Sequence, residues 1–266
     1  MTGSPNGALS YTKFLFVLLR VDDDAAGARL RAAGASIARG FSNDYDIDGT
    51  RETQPFETIQ FLVRAGDTPA AGPEPHASAL ALARYAVQVS SKYRPRLEEI
   101  DEELRRRLGD AADVVTVNGA VRPPRYTSAE MHEYADRRSP ARRNGRLVRN
   151  AIIVPISKTS AWWQMGPLER QTFFYPHVDG DARCPVKGHA MAAASGIPVL
   201  SRRLFHNPDG YQREGEWDFI TYFECEDHGL PVFDEVYAAL RNPAENPEWR
   251  YVIEGPVWKG KRVLRW

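Results

Sequence analysis

Cysteine is nearly absent: the chain of 266 residues has two, Cys184 and Cys225. Two thiols make neither a disulfide framework nor a four-ligand zinc site. Charge of one sign is not in excess either. Thirty-five Lys and Arg balance 35 Asp and Glu, so no global field draws the chain to nucleic acid or to a membrane. Long apolar runs are missing as well. "KFLFVLLRV" (Lys13 to Val21) is too short to span a bilayer, and "DDDAAGARL" follows where a cleavage site would be expected. It reads as a buried strand, and a cytoplasmic protein is the default. Gly-rich phosphate loops, a Walker-type lysine and an HExxH pair are all lacking.

What is present suits a globular chain with ample core: 42% hydrophobic and 26% charged residues. After the strand at Lys13 to Val21, "DAAGARLRAAGA" predicts a short helix, and "FETIQFLVRA" (Phe56 to Ala65) alternates like a half-buried strand. "HASALALARYAVQVSSKYRPRLEEIDEELRRRLG" predicts a helix in two pieces, broken at Pro95, the second charged nearly all round and therefore solvated. "DVVTVNG" is a further strand. From Ala120 to Asn150 aliphatics thin out and six arginines fall between Arg137 and Arg149. Interspersed acids and missing aromatics favour a solvated excursion over a nucleic-acid arm. A second β-rich part begins at "NAIIVPISK". Strand, helix, strand, strand, helix, strand in each part implies an α+β fold with antiparallel sheets and helices on one face. The expected division is residues 1–150 and 151–266.

Several residues invite a chemical reading. Of six histidines, His76, His132 and His228 lie in polar or turn surroundings, whereas His177, His189 and His206 have aromatic or apolar neighbours. None has zinc-ligand spacing. "SRRLFHN" puts Arg202 and Arg203 on opposite faces of a strand, so one of them points inward and needs a carboxylate or an anionic ligand. "NPAENPEW" holds Glu245 between prolines, by itself a loop carboxylate. "SKTSAWWQMGPLER" sets Trp162 and Trp163 side by side, four residues after Lys158. The rings are either core filling or the walls of a flat cofactor.

Taken together, "VPISKTSAWWQMGPLER", "SRRLFHN", "EWDFITYFEC" and "AENPEWRYV" resemble the chlorite dismutase family of haem proteins, within the dimeric α+β barrel superfamily. The resemblance runs in order from Ile152 to about Val257, with an extra stretch near residues 178–189. It implies two ferredoxin-like repeats with antiparallel β-sheets in a barrel-like core and helices outside, haem b in the second half and a homo-oligomer, pentamer or dimer; no nucleic-acid or membrane partner is expected from the neutral charge. In that family's pattern Trp162 and Trp163 pack near haem and at a subunit contact, and Lys158 reaches toward a propionate and the proximal side. Glu245 accepts from the axial imidazole, Arg202 is the distal arginine, and Thr221 and Phe223 line the distal pocket. The axial histidine is His177 when counted forward from the tryptophans and His189 when counted back from Arg202. Pro176 argues against a helix at His177, and a helix starting at Pro185 would carry His189, which is preferred.

The implied activity is a haem-dependent oxidoreductase that splits chlorite into chloride and dioxygen, with a small anionic substrate at Arg202. Related coproporphyrin-haem decarboxylases have a tyrosine where this chain has Val154. A haem enzyme of specialised metabolism or a peroxidase, acting on an organic nitrogen or peroxide substrate, stands as the alternative. From another class comes a haem carrier or sensor without turnover.

Overall fold

Mostly apolar runs buried on both faces build the main strands of the sheet in the computed structural model, which describes residues 10–21, 23–43, 57–66, 75–121, 149–178 and 185–266. The strands are β1 (Ser10–Leu19), β2 (Ser42–Asn43), β3 (Thr58–Arg64), β4 (Tyr85–Ser91), β5 (Ala112–Val121), β6 (Asn150–Lys158), β7 (His177–Val178), β8 (Pro185–Val186), β9 (Ser201–His206), β10 (Phe219–Cys225), β11 (Val252–Glu254) and β12 (Trp258–Val263). Eight of these close a ring in the order β10, β9, β5, β1, β4, β3, β12, β6, with β6 pairing back onto β10. Every pairing in the ring is antiparallel. The ring is thinnest between β5 and β9, which pair only at Ala120 and His206 among the described residues. The Arg-rich excursion lies, apart from its ends, outside the described residues, as does His132.

Period-two alternation sorts each strand into a lumen face and an outer face. Phe14, Phe16, Leu62, Ala86, Ile153, Phe205, Ile220, Tyr222 and Trp258 fill the lumen. Fully burying a large apolar side chain contributes roughly 1.5–3 kcal/mol, so this set is a principal source of stability. One end of the lumen is polar. The Glu224 carboxylate, 1% exposed, accepts from Arg149 and Arg262, each at 3.2 Å, and from the Tyr222 hydroxyl at 2.6 Å.

The outer faces differ between the two halves. Over β1 and β4, Leu15, Val17, Val87 and Val89 are covered by the helices Asp24–Ile37 and Arg94–Leu108. The second of these is not solvated all round, as its charge suggested. It buries Leu97, Ile100, Leu104 and Leu108, an i, i+3, i+7, i+11 stripe that its arginines and glutamates flank. The continuous two-piece helix is corrected as well. Between the helices Pro75–Leu82 and Arg94–Leu108 lies β4, because "YAVQVSS" alternates and its valines pack outward while Ala86 packs inward. Over β6 and β10 the cover is thinner. Ile152, Val154, Phe223 and Cys225 cluster with Phe233 of the helix Gly229–Leu240, and the same face also carries Arg202, Thr221 and Lys158.

A close approach explains one glycine. A Cβ on Gly260 of β12 would overlap the Trp258 ring and lie 2.6 Å from the Val63 carbonyl oxygen. Neither neighbour can yield, since Trp258 is fully buried and Val63 is sheet backbone. Gly260→Ala is therefore expected to lower stability by about 1–3 kcal/mol, the usual range for overpacking. A denaturant midpoint equal to that of the wild type would show that the seam between β12 and β3 is looser than this.

Candidate functional site

The register of three neighbouring strands brings the predicted side chains onto one surface. Phe223 stands opposite Arg202 on β9 and Ile152 on β6, and Thr221 opposite Leu204 and Val154. Directly opposed residues share a face, so Arg202, Thr221, Phe223 and, further along β6, Lys158 all lie on the outer face of the sheet. Arg203 pairs with Tyr222 and takes the lumen side. The inward arginine foreseen for this strand is thus Arg203, while Arg202 is exposed.

The other end of this surface is built around a carboxylate. β11 pairs with β6, setting Val252 opposite Lys158, and the 3-10 turn Pro247–Tyr251 runs directly into β11. Pro247 starts that turn, and three residues per turn place Glu248 and Tyr251 on one side of it. Glu248 lies within hydrogen-bond distance of two groups. Lys158 Nζ donates to Oε1 at 2.5 Å, and His189 Nδ1 is 2.8 Å from Oε2. Tyr251 packs on Trp162, whose ring centre is 4.2 Å from Lys158 Nζ. Trp162 is fully buried, and its indole N–H has no hydrogen-bond partner among the described residues.

Both charges at the centre are buried. Burial strips solvent from the Lys158 ammonium and pulls its pKa below the ordinary value, against the pull of Glu248. Burial also opposes the Glu248 charge, but Lys158 first and His189 second outweigh it and hold the carboxyl down at about 2.

His189 is presented by a short helix, Gly188–Ala192, that begins three residues later than the expected start at Pro185, which instead belongs to β8. Gly188 has φ +67, and a Cβ there would lie 2.6 Å from the Tyr175 carbonyl oxygen. Only glycine lets the chain pass that close and turn into the helix. The His189 N–H donates to the Phe173 carbonyl at 3.0 Å, and the Gly188 N–H to that of Glu245 at 3.0 Å. With Nδ1 facing Glu248, the Nε2 atom of His189 is the nitrogen left for a metal.

Two expectations change. Glu245 does not meet His189. Its carboxylate pairs with Lys187 at 3.0 Å on the surface, and its backbone carbonyl anchors the helix. Glu248 stands beside the imidazole because the turn that begins at Pro247 runs into β11, which pairs with β6. His177, on β7, is exposed, with Nδ1 3.1 Å from the Tyr175 carbonyl oxygen, and has no carboxylate partner among the described residues. Trp163 sits apart from Trp162. Its N–H donates to Asp218 at 3.2 Å, and its ring stacks on Tyr211. Asp218, 1% exposed, also accepts the backbone N–H groups of Lys158 at 2.8 Å and Gln212 at 2.5 Å. Sequence reasoning missed Asp218 and Tyr211. An open cleft of about 460 Å³ is lined by residues 157–160 and 212–217 with Ile253, so it touches Lys158 but not His189, Arg202 or Thr221.

No family model matches the sequence. Among solved structures, the chain is similar to chlorite dismutase from Candidatus Nitrospira defluvii in complex with imidazole. The match has a TM-score of 0.66 and 17% identity over 97% of this chain and 92% of that one. A mutant of the same enzyme in complex with cyanide matches with a TM-score of 0.64, 17% identity and 97% and 92% coverage. A double mutant matches with a TM-score of 0.65, 15% identity and 96% and 91% coverage. At these identities the likeness establishes the fold, an α+β arrangement of helices around an antiparallel barrel.

A depressed carboxylate pKa adds stability that is complete above the ordinary range near 4.5 and is lost as pH falls toward 2. Glu248→Gln leaves Lys158 buried without its counter-charge and should cost about 3–5 kcal/mol near neutrality. The gap between wild type and variant is expected to narrow as pH falls through that window. A gap of constant size in denaturant titrations from pH 5 to pH 2 would mean that Glu248 carries no charge in the folded protein.

Proposed function

We propose that the chain is a haem b-dependent oxidoreductase with His189 as the axial ligand, acting on a small oxidant, chlorite in the first instance. The observation that carries this reading is the chain of contacts from Lys158 through Glu248 to His189. A histidine whose ring nitrogen is held by an ionised carboxylate is the usual form of a metal-ligating imidazole. The buried, unpartnered indole N–H of Trp162 beside Lys158 fits the same reading, since haem carries carboxylates that such donors can bind. The similar chlorite dismutase was solved with imidazole and with cyanide, both of which ligate ferric iron.

Each residue then has a task. When bound, the haem supplies an iron that exchanges electrons with the substrate. His189 ligates it, and Glu248 draws on the imidazole proton, making the ligand more electron-rich and favouring the ferric state. Lys158 keeps Glu248 ionised, and with Trp162 it offers donors to the propionates. Arg202 presents a permanently charged planar fork to an anion, across the sheet face that Thr221 and Phe223 share. Val154, in place of a tyrosine, leaves no phenol for oxidising porphyrin propionates. The second half of the chain, from residue 151, holds the site, and a homo-oligomer with no nucleic-acid partner is the expected assembly.

Purified protein loaded with haem b is expected to show a ferric Soret band that His189→Ala abolishes and His177→Ala leaves in place. The reverse pattern would move the axial ligand to His177. Loss in neither variant would refute the haem reading. Glu248→Gln should raise the ferric/ferrous potential in spectroelectrochemistry; equal potentials would detach Glu248 from the ligand.

With chlorite as substrate, Arg202→Ala should retain haem and lose roughly a hundredfold in rate, about 3 kcal/mol for one charged donor. Dioxygen release from chlorite supports the dismutase reading, and dye oxidation with peroxide alone favours a peroxidase. A Soret band with no turnover of any oxidant leaves a carrier or sensor.

A further inference from the structure

Beside the tryptophan pair lies an aromatic cluster that the reaction proposed above does not use. The Trp163 and Tyr211 rings are 4.2 Å apart between centres and 13° from parallel, and Phe219 stacks against both. The Tyr211 hydroxyl is 2.9 Å from Nδ1 of His206, a histidine only 3% exposed. We propose that Tyr211 and His206 are a proton-coupled redox pair, reached through Trp163, that takes up an oxidising equivalent generated at the haem.

Oxidising a phenol at a modest potential requires that its proton leave with the electron, so a base must already be hydrogen-bonded to the hydroxyl. His206 is that base. The Tyr211 O–H donates to Nδ1, and the proton crosses this bond as the electron departs. Trp163 supplies the electronic contact, because a stacked ring at 4.2 Å overlaps the phenol directly. The charges around Trp163 are mixed. The Asp218 carboxylate, 3.2 Å from the indole nitrogen, favours an electron-poor indole, while the Arg170 guanidinium, 5.5 Å from the ring centre, opposes it. The carboxylate is the nearer charge and is hydrogen-bonded to the indole itself. Support of the stack alone would be served as well by phenylalanine at 211, which needs no buried imidazole.

The electrons balance as follows. Hydrogen peroxide takes two electrons from the haem site and, with two protons from solvent, leaves as two waters. Trp163 returns one of these electrons to the haem site and is itself refilled by Tyr211. Tyr211 ends as a neutral phenoxyl radical and His206 as an imidazolium. The source of the oxidising equivalent rests on the haem reading; the pair itself rests on the geometry of Trp163, Tyr211 and His206.

Two arms test it on the full-length protein. In the first, haem-loaded protein is mixed with hydrogen peroxide and freeze-quenched for EPR. Wild type is expected to show a tyrosyl signal that Tyr211→Phe loses while keeping the stack, and that Trp163→Leu weakens. In the second, protein without added haem is oxidised by a flash-generated ruthenium(III) polypyridyl. The same Tyr211-dependent signal should form, more slowly in D2O than in H2O, and His206→Gln should lower its yield and remove that isotope effect. A missing Soret band together with a Tyr211-dependent signal in the second arm would refute the haem reading and uphold the pair. A tyrosyl signal that Tyr211→Phe leaves unchanged, or a yield and isotope effect that His206→Gln leaves unchanged, would overturn the pair.

Discussion

The outer surface of the second half depends on one buried carboxylate, Glu248, shared between Lys158 and His189. Three elements far apart in the chain converge on it: the end of β6, the short helix after Gly188 and the turn after Pro247. The carboxylate adds a side-chain tie to the pairing of β11 with β6 and to the backbone bond from Gly188 to the Glu245 carbonyl. Two charges out of water are costly, and their mutual attraction offsets that cost only when the geometry is close. The reward is orientation rather than stability, because an imidazole bonded at Nδ1 keeps its ring at one angle and offers Nε2 alone.

The first half of the barrel makes an instructive contrast. Lys13 of β1 is also buried and also meets a carboxylate, Asp101 at 3.1 Å, from a helix packed over the sheet. There the pair ends in further protein partners: Arg105 and Thr116 complete the Asp101 carboxylate at 2.6 and 2.9 Å. The helices Asp24–Ile37 and Arg94–Leu108 then close over it with a continuous apolar layer. In the second half the corresponding charge pair ends in a histidine that is still partly exposed, with side-chain exposure of 26%. Similar strand orders therefore give one half a sealed core and leave the other with a partly exposed histidine at the end of its charge pair.

Asp218 does for the loops what Glu248 does for the site. It ties the end of β6, the segment around Gln212 and the Trp163 indole to one oxygen pair. Gln212 adopts φ +57 to reach it and also donates to the Ser160 hydroxyl at 2.9 Å. This draws Tyr211 against Trp163 and toward His206. A carboxylate satisfied by several N–H groups is a rigid post, so the aromatic cluster is held in register with the helix that carries Trp162.

Much of the architecture is legible in residue order. A continuous apolar run marks β1, alternation marks β3, and the two rounds of strand, helix, strand, strand, helix, strand imply an α+β fold with antiparallel sheets. The hidden strand β4 shows the limit: "YAVQVSS" between two helix-forming stretches is too short for periodicity to separate it from them, and pairing with β1 and β3 decides it. At the site, the set of residues came from the resemblance to a family, and the preference for His189 over His177 from the prolines, because Pro176 argues against a helix at His177. Which glutamate faces the histidine could not come from that source. Glu245 and Glu248 are three residues apart and equal in charge, the first between Pro243 and Pro247 and the second just after Pro247. Their roles part only because β11 pairs with β6 and swings the turn after Pro247 over Lys158, a contact between residues 90 positions apart in the chain. Local chemistry determined which groups this protein can bring to a ligand; tertiary pairing alone decided which of them meet.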